Sequence, residues 1–294
     1  ELAPLDHVRT HVFVRLKGFE SKDFYRNAWE PAENRLRQIA TLGIKSETAF
    51  IYDYLISRGE EAEQGKLKSA KGGSHFASMM NRRAKSASEF EAIIKDELIP
   101  NMLVWPVVVR ANDEVVFAGE TKRFSSRSLD LMTNIRDLTQ GPANPLVLLY
   151  AVAFLQGKLT DSKQLESRLF AIENYLVRQI MGNRPLSPMR SQLMSVMSKI
   201  SGNLEEEILV NALVEADWVT DSEIIDIAAK RDYSEIKSGA VCAIMRGIER
   251  KISGPGAQFF RFGSGEGEFS KEHIFPRKPE RWKADLKTWG SSLD

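Results

Sequence analysis

Leu165, Leu169, Ile172, Leu176 and Ile180 stand 4, 3, 4 and 4 residues apart, so on a helix of 3.6 residues per turn they form one apolar stripe. An extended strand would scatter them over both faces. The segment is therefore expected to be a helix that buries one side, with Asp161 capping the free amides of its first turn and its end near Gly182. The same reasoning extends along the chain. "PLDHVRTHVFVRL" opens a first amphipathic segment, "WEPAENRLRQIATLG" a second, and the helical pattern persists from Leu5 to about Leu98. Asn144 followed by Pro145 reads as an N-cap with proline at the first helical position, which predicts a helix to about Gln156. Thr220 and Glu223 have capping-box spacing, and Val241, Met245, Ile248 and Ile252 line one face of a further helix. Roughly two-thirds or more of the chain is expected to be helical.

Two stretches depart from this pattern. "MLVWPVVVRANDEVVFAGE", residues 102–120, is rich in valine and carries an Asn-Asp turn signal, so helix and hairpin both stay open there. In "AQFFRFGSGEGEFSKEHIF", residues 257–275, two aromatic, β-prone runs flank a glycine-rich turn, which predicts a hairpin. The glycine and proline of "SGPG" at 253–256 mark the junction. The expected organisation is mainly α: a helical bundle over residues 1–252, with a sub-boundary near 140–145, then a smaller hairpin-bearing part over 253–294.

A hydrophobic content of 43% with 28% charged residues is that of soluble globular chains and excludes a disordered one. The 41 basic and 40 acidic residues leave a net charge of +1, so any basic binding surface has to be local. The longest apolar run, "PLVLLYAVAFL" at 145–155, is about half of the ~20 residues a membrane span requires. It reads as a buried helix, and no membrane partner is expected. The single cysteine, Cys242, lies in an apolar helical pattern and reads as core; without an internal partner it fits a reducing, cytoplasmic setting. Because the chain begins at Glu1 without a signal-like segment, it is expected to be part of something longer.

Chemistry has few candidates. His7 and His11 have ligand spacing on a helix, but no glutamate stands between them as in H-E-x-x-H and no third ligand is evident. His75, in the polar, glycine-bearing loop "KGGSHF", reads as solvated. His273 is different, because Glu272 precedes it, a proline follows three residues later and a hairpin leads into it. Adjacent residues of a strand point to opposite faces, so these two share a site only if the backbone turns between them.

The motif "EHIFP", residues 272–276, resembles the D/E-H-I-x-P signature of HNH (ββα-metal) endonucleases, in the form found in GmrSD/SspE-like DNA restriction proteins. Other segments are similar to the same proteins, in the same order. "LESRLFAIENYLVRQIMGNRP" at 165–185 resembles their I-E-S-Y-L-V-R-R helix, and "YSEIKSGAVCAIMRGIERKI" at 233–252 the helix upstream of the nuclease signature. "PLDHVRTHVFVRL" resembles their D-L-I-R-N segment, and "FYRNAWEPAE" the aromatic-tryptophan-acid element after it.

The resemblance implies a helical region followed by the start of an HNH domain, with His273 as general base and Glu272 as metal ligand. A neutral imidazole, with an ordinary pKa of ~6.5, can take a proton from the attacking water. Mg²⁺ or Mn²⁺ would neutralise charge on the phosphorane and the leaving oxygen. HNH sites also use a metal-binding asparagine from a following helix, and no "GNLTL"-like stretch occurs before Asp294. The Asp-Gly-Gln-Gln-Arg motif of the family's N-terminal nucleotide-binding domain is absent too, so that domain is an expected partner within the same parent protein. DNA is the other expected partner. Arg277, Lys278, Arg281, Lys283 and Lys287, against Glu280 and Asp285, give a local charge of +3 beside the signature. A second basic run, Lys66, Lys68, Lys71, Arg82, Arg83 and Lys85, has no acid within it. The rival expectation is a non-catalytic helical scaffold or sensor that couples a partner domain to a nuclease.

Overall fold

The computed structural model describes residues 4–17, 23, 25–40, 46–59, 72–110, 114–117, 120–139, 141–200, 202–228, 230, 236 and 238–253. The chain divides into two compact units, Glu1–Ile236 and Lys237–Asp294. The first begins with α1 (Pro4–Arg15), whose Leu5, Val8 and Val12 are fully buried. A π-helical turn, Tyr25–Trp29, runs into α2 (Glu30–Ala40), and α3 (Ser46–Ser57) and α4 (Gly72–Arg83) follow. His75 therefore lies within a helix rather than a loop, because Phe76, Met79 and Met80 give this segment a face to bury.

α5 (Ala87–Ile93) starts at a complete capping box, in which Ser86 and Glu89 each accept from the other's backbone amide. It continues through a π-helical turn, Ile94–Leu98, into α6 (Ile99–Arg110). The question left open over 102–120 resolves into both alternatives, one after the other. The valine-rich run, Pro106 included, is helical, and the hairpin lies beyond it as β1 (Glu114–Phe117) and β2 (Glu120–Arg123), paired antiparallel with Val116 opposite Thr121. Burial overrides β-propensity in α6: Met102 to Val108 are buried, and a helix pairs most backbone groups of the run within itself, Pro106 removing one such bond, whereas a strand would need a partner.

α8 (Asn144–Leu155) is the centre of the unit, and every residue from Pro145 to Leu155 except Phe154 is buried. It packs against α3, α6 and α9. α9 (Ser162–Met181) runs beside α7 (Ser126–Thr139), presents the expected stripe, and is capped by Asp161 accepting from the Gln164 amide at 2.9 Å. Within that packed surface Asn134 donates to the buried Glu173 at 2.6 Å, a polar cross-link between α7 and α9.

α9 ends at Met181 as expected, with Gly182 as its C-cap, but the glycine is not there for a left-handed turn. Gly182 keeps an ordinary φ of −73, and the left-handed turn is taken by Asn183 at φ 56. A Cβ on Gly182 would meet the Val219 methyls at 2.8 and 2.9 Å, so glycine is needed there for close approach. α9 also holds the segment around Val219: Tyr175 Oη donates to the Ala216 carbonyl at 2.7 Å and Arg178 to that of Val219 at 2.9 Å. α10 (Leu186–Ile200), α11 (Glu206–Val214) and α12 (Asp221–Ala228) complete the unit, α12 starting at the expected Thr220–Glu223 box.

Of the second unit, α13 (Ser238–Ser253) is described. Its buried positions are the small Ala240 and Ala243, whereas Met245, Ile248 and Ile252, which line one face of the helix as expected, are exposed. Cys242, expected in the core, is half-buried. The junction expected at 253–256 falls, apart from Ser253, outside the described residues, as does the hairpin expected over 257–275.

Candidate functional site

Glu272, His273, Arg277, Lys278, Arg281 and Lys283 all lie outside the described residues. The other histidines are placed. His11 is packed edge-on against Phe76 and Phe90, at ring separations of 6.2 and 5.6 Å, with Nε2 buried and unpartnered among the described residues. Burial, helped by the nearby Arg15 charge, holds its pKa below the ordinary value, so His11 is a neutral packing residue. Among the described residues no group of three or more His, Cys, Asp or Glu side chains could hold a metal.

The basic run before Ser88 is partly neutralised by partners distant in sequence. Arg83 makes a two-pronged contact with Glu97, at 2.9 and 2.6 Å, and Arg58 approaches the same carboxylate at 3.6 Å. Lys85 donates to the Asn81 carbonyl. Lys66, Lys68 and Lys71 lie outside the described residues.

Three polar assemblies were not anticipated. In the first, Glu33 on α2 is nearly buried and accepts from Trp29 Nε1 at 2.8 Å, Arg9 at 3.0 Å and Arg37 at 2.7 Å. Asp6 joins both arginines, at 3.1 and 3.2 Å, and so ties α1 to α2. In the second, Asp53 is buried in α3 and its Oδ2 accepts from Trp105 Nε1 at 2.8 Å and Asn144 Nδ2 at 3.2 Å. Burial raises its pKa to about 7, against the opposing pull of these two hydrogen bonds and of Arg190. Asn144, expected as a helix cap, thus makes no capping bond. Its amide goes instead to a carboxyl 91 positions away.

The third is a groove of about 890 Å³ between α2, α6 and β1. α2 presents Pro31, Asn34, Arg35 and Gln38 along one face, α6 supplies Ile99 and Leu103, and β1 supplies Val116 and Phe117. Its floor is apolar, and its rim holds amides and the cations Arg35 and Lys95. Lys95 is paired with Glu91 at 3.0 Å, whereas Arg35 donates to the Glu114 carbonyl at 2.6 Å and has no carboxylate partner among the described residues. Burial lowers the Arg35 pKa from its ordinary value.

Asp53 carried a signal in the sequence, a lone acid inside the apolar run "FIYDYLI". Arg35 carried none, since a basic residue on an amphipathic helix is ordinary. No family model, curated protein or solved structure matches the chain. No described helix is long and apolar enough to cross a membrane.

Proposed function

We propose that the chain is part of a metal-dependent HNH endonuclease that hydrolyses DNA phosphodiesters in a GmrSD/SspE-like anti-phage restriction system. The carrying observation is the sequence E-H-I-F-P at 272–276, followed directly by Arg277, Lys278, Arg281 and Lys283. In this reading His273 accepts the proton of the attacking water, Glu272 helps to hold the metal, and the four cations hold the phosphates on either side of the target. Mg²⁺ or Mn²⁺, when bound, supplies Lewis-acid stabilisation of the charge that develops on the phosphate. The mainly helical first unit is in keeping with the expected bundle and would carry the nuclease element.

The test is plasmid cleavage by the parent protein with and without divalent metal. His273→Ala is expected to lower the rate by roughly 10²–10⁴-fold with little change in DNA affinity; cleavage at the unaltered rate would remove His273 from the mechanism. Glu272→Ala is expected to lose activity at low Mg²⁺ and regain part of it at high Mg²⁺, as for a lost ligand. Equal loss at every concentration would make Glu272 structural. A second reading, in which the helical unit is a sensor without activity of its own, is favoured by the groove beside Arg35.

A further inference from the structure

The groove between α2, α6 and β1 combines features that separately have ordinary explanations. Arg35 is half-buried, and among the described residues its guanidinium meets only the Glu114 carbonyl, which engages one arm of the fork at 2.6 Å. A cation removed from water costs free energy unless an anion or several acceptors compensate it. Below it, Ile99 and Leu103 form a buried floor, and beside it Val116 stands 59% exposed, a large apolar side chain held open on the groove wall. The described lining residues include no carboxylate. The side-chain amides of Asn27 and Asn34 at the rim have no hydrogen-bond partner among the described residues.

Each simpler occupant uses only part of this. Inorganic phosphate would satisfy Arg35 and leave the floor wet. A neutral hydrocarbon would cover Val116 and leave the guanidinium uncompensated. An added peptide strand would need the outer edge of β1, where Arg35 already occupies the Glu114 carbonyl. We propose that the groove binds a small amphipathic anion, a single carboxylate or phosphate on an apolar body, with the anionic head on Arg35 and the body against Val116, Ile99 and Leu103. The free arm of the guanidinium suits the planar oxygens of such a head group. The volume, about 890 Å³, falls in the range of small-molecule sites. The amides of Asn27 and Asn34 can donate to or accept from polar substituents on the ligand.

Binding to the 294-residue chain is measured by calorimetry with 2-naphthoate and 2-naphthyl phosphate, with acetate and inorganic phosphate as heads alone and 2-naphthol as body alone. At least one naphthyl anion is expected to bind about tenfold or more tighter than its head alone, and which of the two does so identifies the carboxylate or the phosphate as the native head. Arg35→Gln is expected to weaken that anion by about tenfold and leave 2-naphthol unchanged, because the body contacts remain. Arg35 also braces β1, so Val116→Asp serves as a second variant: it lies on an exposed position and is expected to abolish binding of the naphthyl anion with an unaltered circular dichroism spectrum. Naphthyl anions that bind no tighter than their heads, or that bind equally well to both variants, would overturn the proposal. Cleavage is not read, so this result is independent of the role of His273.

Discussion

At the scale of single residues, Asp53 and His11 are buried groups with opposite effects on the pH dependence of stability. The Asp53 carboxyl sits near 3.8 in the unfolded chain and at about 7 in the folded one. Between those values the folded chain keeps a proton that the unfolded chain has lost, so stability falls as pH rises through this window and levels off above it. The loss amounts to as much as roughly 4 kcal/mol. Asp53→Asn keeps an acceptor for Trp105 and is expected to raise the melting temperature near pH 8 and flatten the slope between about pH 4 and 7. Thermal melts across that range check this, and an unchanged slope would assign it to another group. His11 works in the other direction, since its folded pKa is depressed: stability is lost as pH falls through the ordinary histidine value of ~6.5. His11→Phe is expected to remove that acid-side loss, which melts at about pH 5.5 and 7.5 would show. Glu33 is a third such residue. Three donors converge on it, and Glu33→Ala would remove the carboxylate that accepts from Trp29 Nε1 and leave Asp6 as the one described carboxylate that Arg9 and Arg37 still share. A loss of roughly 3 kcal/mol or more is expected in denaturant unfolding, well above that for Asp6→Ala.

At the scale of elements, the ends of α9 show what a sequence discloses and what it withholds. Asp161→Ala is expected to cost about 1 kcal/mol, the usual value of a lost cap. Gly182→Ala is expected to cost about 1–3 kcal/mol because the new methyl meets the Val219 side chain. Val219→Ala in the same chain should recover part of that loss, and a double-mutant cycle in urea measures the coupling. The stripe of α9, its cap and the Thr220–Glu223 box were legible because each is settled within four residues. Asn144 and residues 102–120 were misread or left open because their partners are far away in sequence: Asn144 answers to Asp53, and the valines of α6 to α2 and α8. The shared face of Val241, Met245, Ile248 and Ile252 on α13 was legible from spacing, but its exposure was not, since the buried positions of that helix are alanines. Of the candidate chemistry, Glu272 and His273 stand out in the sequence by adjacency alone, and they lie outside the described residues. Arg35 does not stand out, because its significance comes from the lack of a carboxylate among the described residues that line the groove, and no local pattern encodes that.

For the whole molecule, a net charge of +1 means that DNA affinity, in the proposed function, depends on where the cations stand. Each phosphate contact contributes roughly 0.9 to the slope of log affinity against log salt. Lys278→Ala with Arg281→Ala is expected to flatten that slope by up to about 2 in the parent protein, and the corresponding change at Lys66 and Lys68 to flatten it less. A salt titration of both double variants decides it, and a larger drop for the second pair would move the DNA path onto the helical unit. The burial of α8 on all sides has a bearing on synthesis. α3 and α6, against which it packs, precede it in the chain, so during translation they leave the ribosome first and present the surfaces on which α8 closes. This helix can therefore dock as it emerges, whereas α3 and α6 must wait with apolar faces uncovered for the stretch of synthesis that separates them from it. Pausing of the ribosome just upstream of Asn144 would prolong that exposure, and it is there that a nascent chain of this protein would most need a chaperone.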